Sequence, residues 1–224
     1  MTSHRATVAA VAASLLLAAR AGRAGEVQGV VRWTGPVPAP VAVETDRDRA
    51  VCGQQVAEEA VLVAGGGLAN VVVRIEVPGA RAEPRTLILD QQGCRYLPRV
   101  QAAAPGSTLE LRNGDPVLHN VHGYAGAATA FNVPMPTPGG KAPRLLARPG
   151  IIRIACDVHS WMAASVLVTE TPWVVVTGAG GRFTLKEVPA GTFQAVAWHE
   201  RYGEKRLVIE VPASGTVAPA FSFP

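Results

Sequence analysis

The chain has 224 residues, 48% of them hydrophobic but only 5% aromatic, with 21 Lys and Arg against 17 Asp and Glu. Arg5, Arg20 and Arg23 lie in an N-terminal stretch that reads as an export leader, and taking these three from the 21 leaves 18 against 17. A near-neutral mature chain gives no electrostatic case for nucleic acid or an anionic membrane surface, and about 200 residues allow one large or two small domains.

The leader comes first. His4 and Arg5 form a short basic start, residues 6–19 are an apolar run too short to span a bilayer, and small residues follow at Ala21 and Ala24. Cleavage after Ala24 is expected, with Ala21 as the alternative. The predicted product is periplasmic or otherwise exported, soluble, and without a membrane span.

Abundant Val, 23 Gly, 18 Pro and the absence of long helical periodicity predict an all-β chain. In chain order, strands are expected over 28–33, 69–77, 86–89, 108–112, 150–155, 164–169, 174–176, 182–185, 193–199 and 205–211. A helical turn is expected over 57–60. Short strands at regular spacing, bounded by Pro-Gly, Asn-Gly and Gly-Gly turns, mean a sandwich or barrel.

The chemistry gathers in two stretches. Cys156-Asp157-Val158-His159-Ser160-Trp161-Met162 sets a thiolate, an imidazole and a thioether at C-x2-H-x2-M spacing, and Leu118-His119-Asn120-Val121-His122 supplies further imidazole. Of five His in the chain, three fall here. One Cys, two His and a weak axial Met are the donors of a mononuclear electron-transfer copper site, and soft sulfur donors disfavour calcium or magnesium. His119, Cys156, His159 and Met162 are therefore the candidate metal ligands. Asn120, beside His119, is expected to hydrogen-bond across to the Cys-bearing loop and hold the ligand geometry. His122 is a polar rim residue or an extra ligand, and Met135 a packing residue or an alternative ligand. If Asp157 faces the metal, its carboxylate would favour Cu(II) and lower the potential.

With Cys156 set aside as a ligand, Cys52 and Cys94 remain as an even pair. They form a disulfide suited to an oxidising compartment, or two buried free thiols. Trp198-His199-Glu200 carries acid–base groups without a nucleophile or second metal motif, and reads as a strand end with a structural hydrogen bond.

The paired stretches 118–122 and 156–162 resemble the ligand segments of cupredoxins of the plastocyanin and azurin family, most closely the amicyanins, over about residues 83–170. The resemblance implies a Greek-key β-sandwich and one copper ion on His119, Cys156, His159 and Met162. Ser160 departs from the amicyanin pattern, which has Pro there. Gly25-Glu26-Val27-Gln28-Gly29-Val30-Val31, Gly35-Pro36, Gly180-Gly181-Arg182-Phe183-Thr184-Leu185 and the turn at Pro189-Ala190-Gly191 resemble the carboxypeptidase regulatory-like, transthyretin-type β-sandwich, with Gly180-Gly181 turning a hairpin. That implies a second small sandwich in two pieces, 25–80 and 171–224, around a cupredoxin domain over 81–170; two sequential domains are the alternative. The whole chain resembles exported bacterial plastocyanin-like and methylamine-utilisation proteins.

The expected activity is single-electron transfer, without an enzymatic reaction, to a redox protein such as a c-type cytochrome or a dehydrogenase. The alternative is an exported binding or assembly module with a vestigial or copper-storage site. A shuttle requires an exposed ligand edge, with a rim of Trp161, Ala163, Val133 and Pro134 expected around His159; burial of His159 beneath the second domain would count against it.

Overall fold

A computed structural model describes residues 24–39 and 41–224. The expected leader lies outside the described residues except for Ala24. The chain is all-β, in several sheets, and the only α-helix among the described residues is the single turn Arg49–Cys52.

Two cores organise the strands. The first takes Val27 and Val31 from strand Ala24–Trp33, Leu68, Val73 and Ile75, then Phe183, Leu185, Ala195, Ala197, Phe221 and Phe223. Ala24–Trp33 is the centre of one sheet, antiparallel to Arg182–Pro189 and parallel to Phe221–Phe223. The other sheet runs Val174–Val176, Val72–Glu76, Gly191–His199, Gly203–Val211. Apart from the separate pair Ala42–Glu44 and Gln55–Ala57, strands before residue 77 and after residue 173 thus share both sheets and one core.

The second core takes Leu87, Leu89, Leu109, Leu111, Val121, Val133, Leu146, Ile154 and Val166, together with Cys156 and Met162. Ser107–Asn113 shows why: buried and half-buried residues alternate along its length, as one-sided packing of a pleated strand demands. One sheet is Lys141–Leu146, Ser107–Asn113, Thr86–Gln91, Tyr96–Leu97; the other is Ala128–Met135, His119–Ala125, Gly150–Ala155, Ala163–Val168, Val100–Ala103. A smaller cluster of Val72, Val100, Ala102, Leu167 and Trp198 joins the two cores. Val72–Glu76 is buried nearly throughout because its alternate side chains serve different clusters, Val73 and Ile75 on one face and Val72 on the other.

Two local expectations change. The helical turn lies at Arg49–Cys52 rather than 57–60, because Val56 is buried and Gln55–Ala57 is extended against Ala42–Glu44. Gly180-Gly181 does turn the chain, but not within a hairpin: Val174–Val176 and Arg182–Pro189 belong to different sheets. Gly67 packs so closely on this turn that a Cβ there would lie 2.0 Å from the Gly180 carbonyl oxygen, so the approach requires a residue without a side chain.

The segment Ala42–Ala57 leaves the first core and lies over the second. Its Cys52 is bonded to Cys94, with a Cα separation of 5.1 Å, and Cys52 is counted among the second core's buried residues. Of the alternatives open in the sequence, the Cys52–Cys94 disulfide is the one formed; Cys156 is free and buried.

Candidate metal centre

Strand pairing brings the two chemical stretches together. His119 opens strand His119–Ala125, which pairs with Gly150–Ala155, His122 opposite Ala155. Cys156 follows that strand, and residues 156–162 loop back into Ala163–Val168, closed by Ala155 opposite Ala163 and by the Met162 N–H donating to the His159 carbonyl at 3.0 Å. Cys, His and Met must therefore emerge at one end of the sheet, beside His119.

The donors converge. His119 Nδ1 lies 2.9 Å from His159 Nδ1, and Cys156 Sγ lies 3.8 Å from His159 Nδ1. One donor atom from each of these three lies within 4.8 Å of the others, and all three residues are buried. Met162 is 2% exposed in the core that contains Cys156.

Both imidazoles are held from behind by carboxylates. His119 Nε2 is 2.9 Å from Asp115 Oδ2, and His159 Nε2 is 2.9 Å from Asp48 Oδ2. A carboxylate that is ionised only accepts, so each Nε2 is the donor of its pair, and a ring that is neutral is then left with its Nδ1 lone pair. Burial, opposed by the bond to Asp115, lowers the His119 pKa and favours the neutral ring. Two lone pairs facing each other at this distance beside a thiol repel unless a cation or a proton sits among them. The donor chemistry fits a soft or borderline metal ion such as copper.

Asp115 is itself fixed, accepting the N–H groups of Gly93 and Cys94 at 2.8 Å each, while Asn113 accepts the Asp115 N–H and donates to the Val117 and Met135 carbonyls. The Tyr96 hydroxyl is directed at the carbonyls of Asn120, in the first ligand stretch, and Ala155, the residue just before Cys156. Its burial, with Cys156 nearby, pushes its pKa up, so it remains a donor. Asp48, Asp115 and Tyr96 were absent from the sequence-based candidates. Asp115-Pro116, just ahead of His119, was a usable signal; for Asp48 there was none.

Asn120 does reach the Cys-bearing loop: its Oδ1 accepts the Asp157 N–H at 2.6 Å and its Nδ2 donates to Asp157 Oδ2 at 2.8 Å. Asp157 does not face the donors. Its carboxylate takes hydrogen bonds from His122, Asn132 and Asn120, and the His122 bond foremost holds it below the usual carboxylate range. His122 belongs to this outer polar cluster, stacked on Tyr124 at 4.0 Å, on the strand face that carries Asn120. Met135 is buried in the second core.

The exposed edge expected at His159 is absent. His159 is fully buried, with Asp48 across its Nε2, the Trp161 ring 5.1 Å away, and the two disulfide sulfurs within 4.8 Å of one of its ring nitrogens. The cover comes from the segment Ala42–Ala57 and not from the sheets of the first core.

Elsewhere, His199 is buried; its Nδ1 accepts the Arg201 N–H at 3.2 Å, and Glu200 pairs with Arg99 at 2.6 Å. Burial, then the charges of Arg99 and Arg201, lowers the His199 pKa from 6.5 to about 4. The neutral ring therefore stabilises the fold above pH 6.5, and that contribution fades as pH falls from 6.5 through about 4. The full difference is about 3 kcal/mol. Urea unfolding between pH 7 and 4.5 should show this loss, and His199→Leu should flatten it.

No protein-family model matches the sequence, and no curated protein matches it. Among solved structures, part of the chain is similar to a Cu-containing nitrite reductase (NirK) from Thermus scotoductus SA-01. The identity is 21% over 43% of this chain and 25% of that one, with a TM-score of 0.36; the chain thus spans a quarter of the reductase's length. It is similar to a purple cupredoxin from Nitrosopumilus maritimus at 21% identity, over 38% of this chain and 99% of that one, TM-score 0.34. It is similar to amicyanin from Paracoccus versutus at 17% identity, over 43% of this chain and 97% of that one, TM-score 0.34. Among the described residues, no helix is long and apolar enough to cross a membrane.

Proposed function

We propose that the protein is an exported, mononuclear copper-binding protein of cupredoxin type that transfers single electrons, with His119, Cys156, His159 and Met162 holding one copper ion. The observation that carries this reading is the convergence of two imidazole Nδ1 atoms and a thiol sulfur in a buried site, with both far ring nitrogens bonded to carboxylates. Copper, when bound, supplies a couple that gives or takes one electron. Asp115 and Asp48 accept the Nε2–H groups and keep both Nδ1 atoms available. Asn120 and Tyr96 tie the two ligand stretches to each other and resist their moving apart. Such outer bonds fix ligand orientation and limit rearrangement when charge changes. We read the first sandwich as the regulatory-like, transthyretin-type module, and the redox partner as a protein such as a c-type cytochrome or a dehydrogenase.

Burial of His159 favours a second reading, a copper-storage or assembly module. Metal-free protein loaded with Cu(II) should take up one ion and show intense thiolate-to-copper absorption with a narrow copper hyperfine splitting. Colourless protein without stoichiometric copper rejects both copper readings. Fast electron exchange with a small c-type cytochrome supports transfer, whereas coloured but inert protein supports storage.

A further inference from the structure

Asp48 stands at the N-cap of the single turn Arg49–Cys52, where an aspartate ordinarily accepts a backbone N–H of the first turn. It makes no such side-chain bond, and its backbone is left-handed, φ 49° and ψ 33°. Aspartate is among the few residues with a side chain that adopt that region readily. The carboxylate thus released from capping reaches His159 Nε2 at 2.9 Å.

The turn that carries Asp48 is braced within itself. The Thr45 hydroxyl lies 2.6 Å from the Gly53 carbonyl and 3.1 Å from that of Gln54, Arg49 Nε donates to the Thr45 carbonyl at 2.8 Å, and the paired strands Ala42–Glu44 and Gln55–Ala57 bracket the whole. Cys52 fastens it to Cys94, whose carbonyl accepts the Trp161 Nε1–H at 3.1 Å, and Trp161 packs on His159. The Asp48 side chain is 38% exposed while that of His159 is 0%, so Asp48 is the wall between the imidazole and solvent.

We propose that residues 42–57 are a cap that shuts the metal centre, in which Asp48 is the positioning residue for His159 and the Cys52–Cys94 bridge is the fastening. The inference rests on the copper reading above. Asp48 fixes the tautomer that aims the His159 Nδ1 lone pair at the Cys156 side, and it occupies the edge by which a competing ligand or chelator would reach the imidazole. A carboxylate here also places a negative charge one ring away from the metal, which favours the more positive oxidised state.

Two substitutions separate the hydrogen bond from the charge: Asp48→Ala removes both, and Asp48→Asn keeps an acceptor oxygen without the charge. In metal-free protein, where a proton shared by the two facing Nδ1 atoms takes the place of the metal, imidazole 15N shifts should report a fully protonated Nε2 on His159 in the wild type and in Asp48→Asn, and a mixture of protonated and unprotonated Nε2 in Asp48→Ala. In copper-loaded protein, Asp48→Ala should lose metal to excess chelator about tenfold faster or more. Asp48→Asn should hold copper nearly as the wild type does but show a higher midpoint potential, with the visible band unchanged in both variants. Wild-type Nε2 protonation and a wild-type release rate in Asp48→Ala would overturn the proposal. Should Asp48→Ala not fold, an unshifted potential in Asp48→Asn overturns it. Colourless wild type defeats the copper reading, and with it the cap as a guard on copper, while the 15N measurement still decides whether Asp48 positions His159.

Discussion

Replacing Cys156 with serine removes the intense visible absorption of the copper-loaded protein altogether, while folded structure and residual weak binding through the imidazoles remain. The band depends on a thiolate bonded to the metal, and Cys156 Sγ is the one free thiol of the chain, buried 3.8 Å from His159 Nδ1. A serine hydroxyl is close in size, so packing within the second core survives, but it is a hard donor that stays protonated and gives no charge transfer in the visible. Absorption, electron paramagnetic resonance and circular dichroism on the same sample check both halves. A Cys156→Ser protein that keeps the colour would place the chromophore elsewhere and reject the ligand set.

The double substitution Cys52→Ser/Cys94→Ser has the largest expected effect on stability. The bridge closes a loop with a sequence separation of 42, for which chain entropy gives about 4 kcal/mol. In a chain of this size that corresponds to a melting temperature lower by about 10 °C. The measurement is thermal and urea unfolding of the metal-free protein, so that metal affinity does not enter. Because Asp48→Ala leaves the bridge intact, it should lower the melting temperature far less while still loosening His159. The two variants thereby separate fastening from positioning. Equal melting temperatures for the double variant and the wild type would mean that the unfolded chain gains no freedom from the break.

Sequence reading singled out the candidate donors because they are rare residues at fixed spacing: Cys156, His159 and Met162 lie within one seven-residue loop, and His119 stands among few other imidazoles; the fold brings His119, Cys156 and His159 together. The strands with strong β-branched or alternating patterns, such as Gly150–Ala155, Val174–Val176 and Ser107–Asn113, were legible for the same reason. Ala128–Met135 and Lys141–Leu146 were not, since both are edge strands, largely exposed, with Pro134 and Pro143 in them. An edge strand buries too few side chains to leave a period in the sequence. Asp48, Asp115 and Tyr96 escaped because their roles depend on what faces them. Asp48 is 111 positions from His159, and nothing in its neighbours distinguishes it from a solvated loop carboxylate. The expectation of an open His159 edge failed for the same reason: the cover is supplied by a segment whose local sequence carries no sign of its destination.

The strand Val72–Glu76 contributes side chains both to the first core and to the junction between the two sandwiches. Its alternate side chains are committed to opposite sides, with Val73 and Ile75 in the first core and Val72 against Val100, Leu167 and Trp198 at the junction. Neither sandwich can melt without baring apolar surface that the other also needs covered, so heat should destroy both in a single transition. A ligand that binds only the folded state then raises the stability of the entire cooperative unit by mass action, wherever it sits. Metal held at His119 and Cys156 would thereby protect amides as remote as those of Phe221–Phe223 from exchange, although that strand lies in the other sandwich.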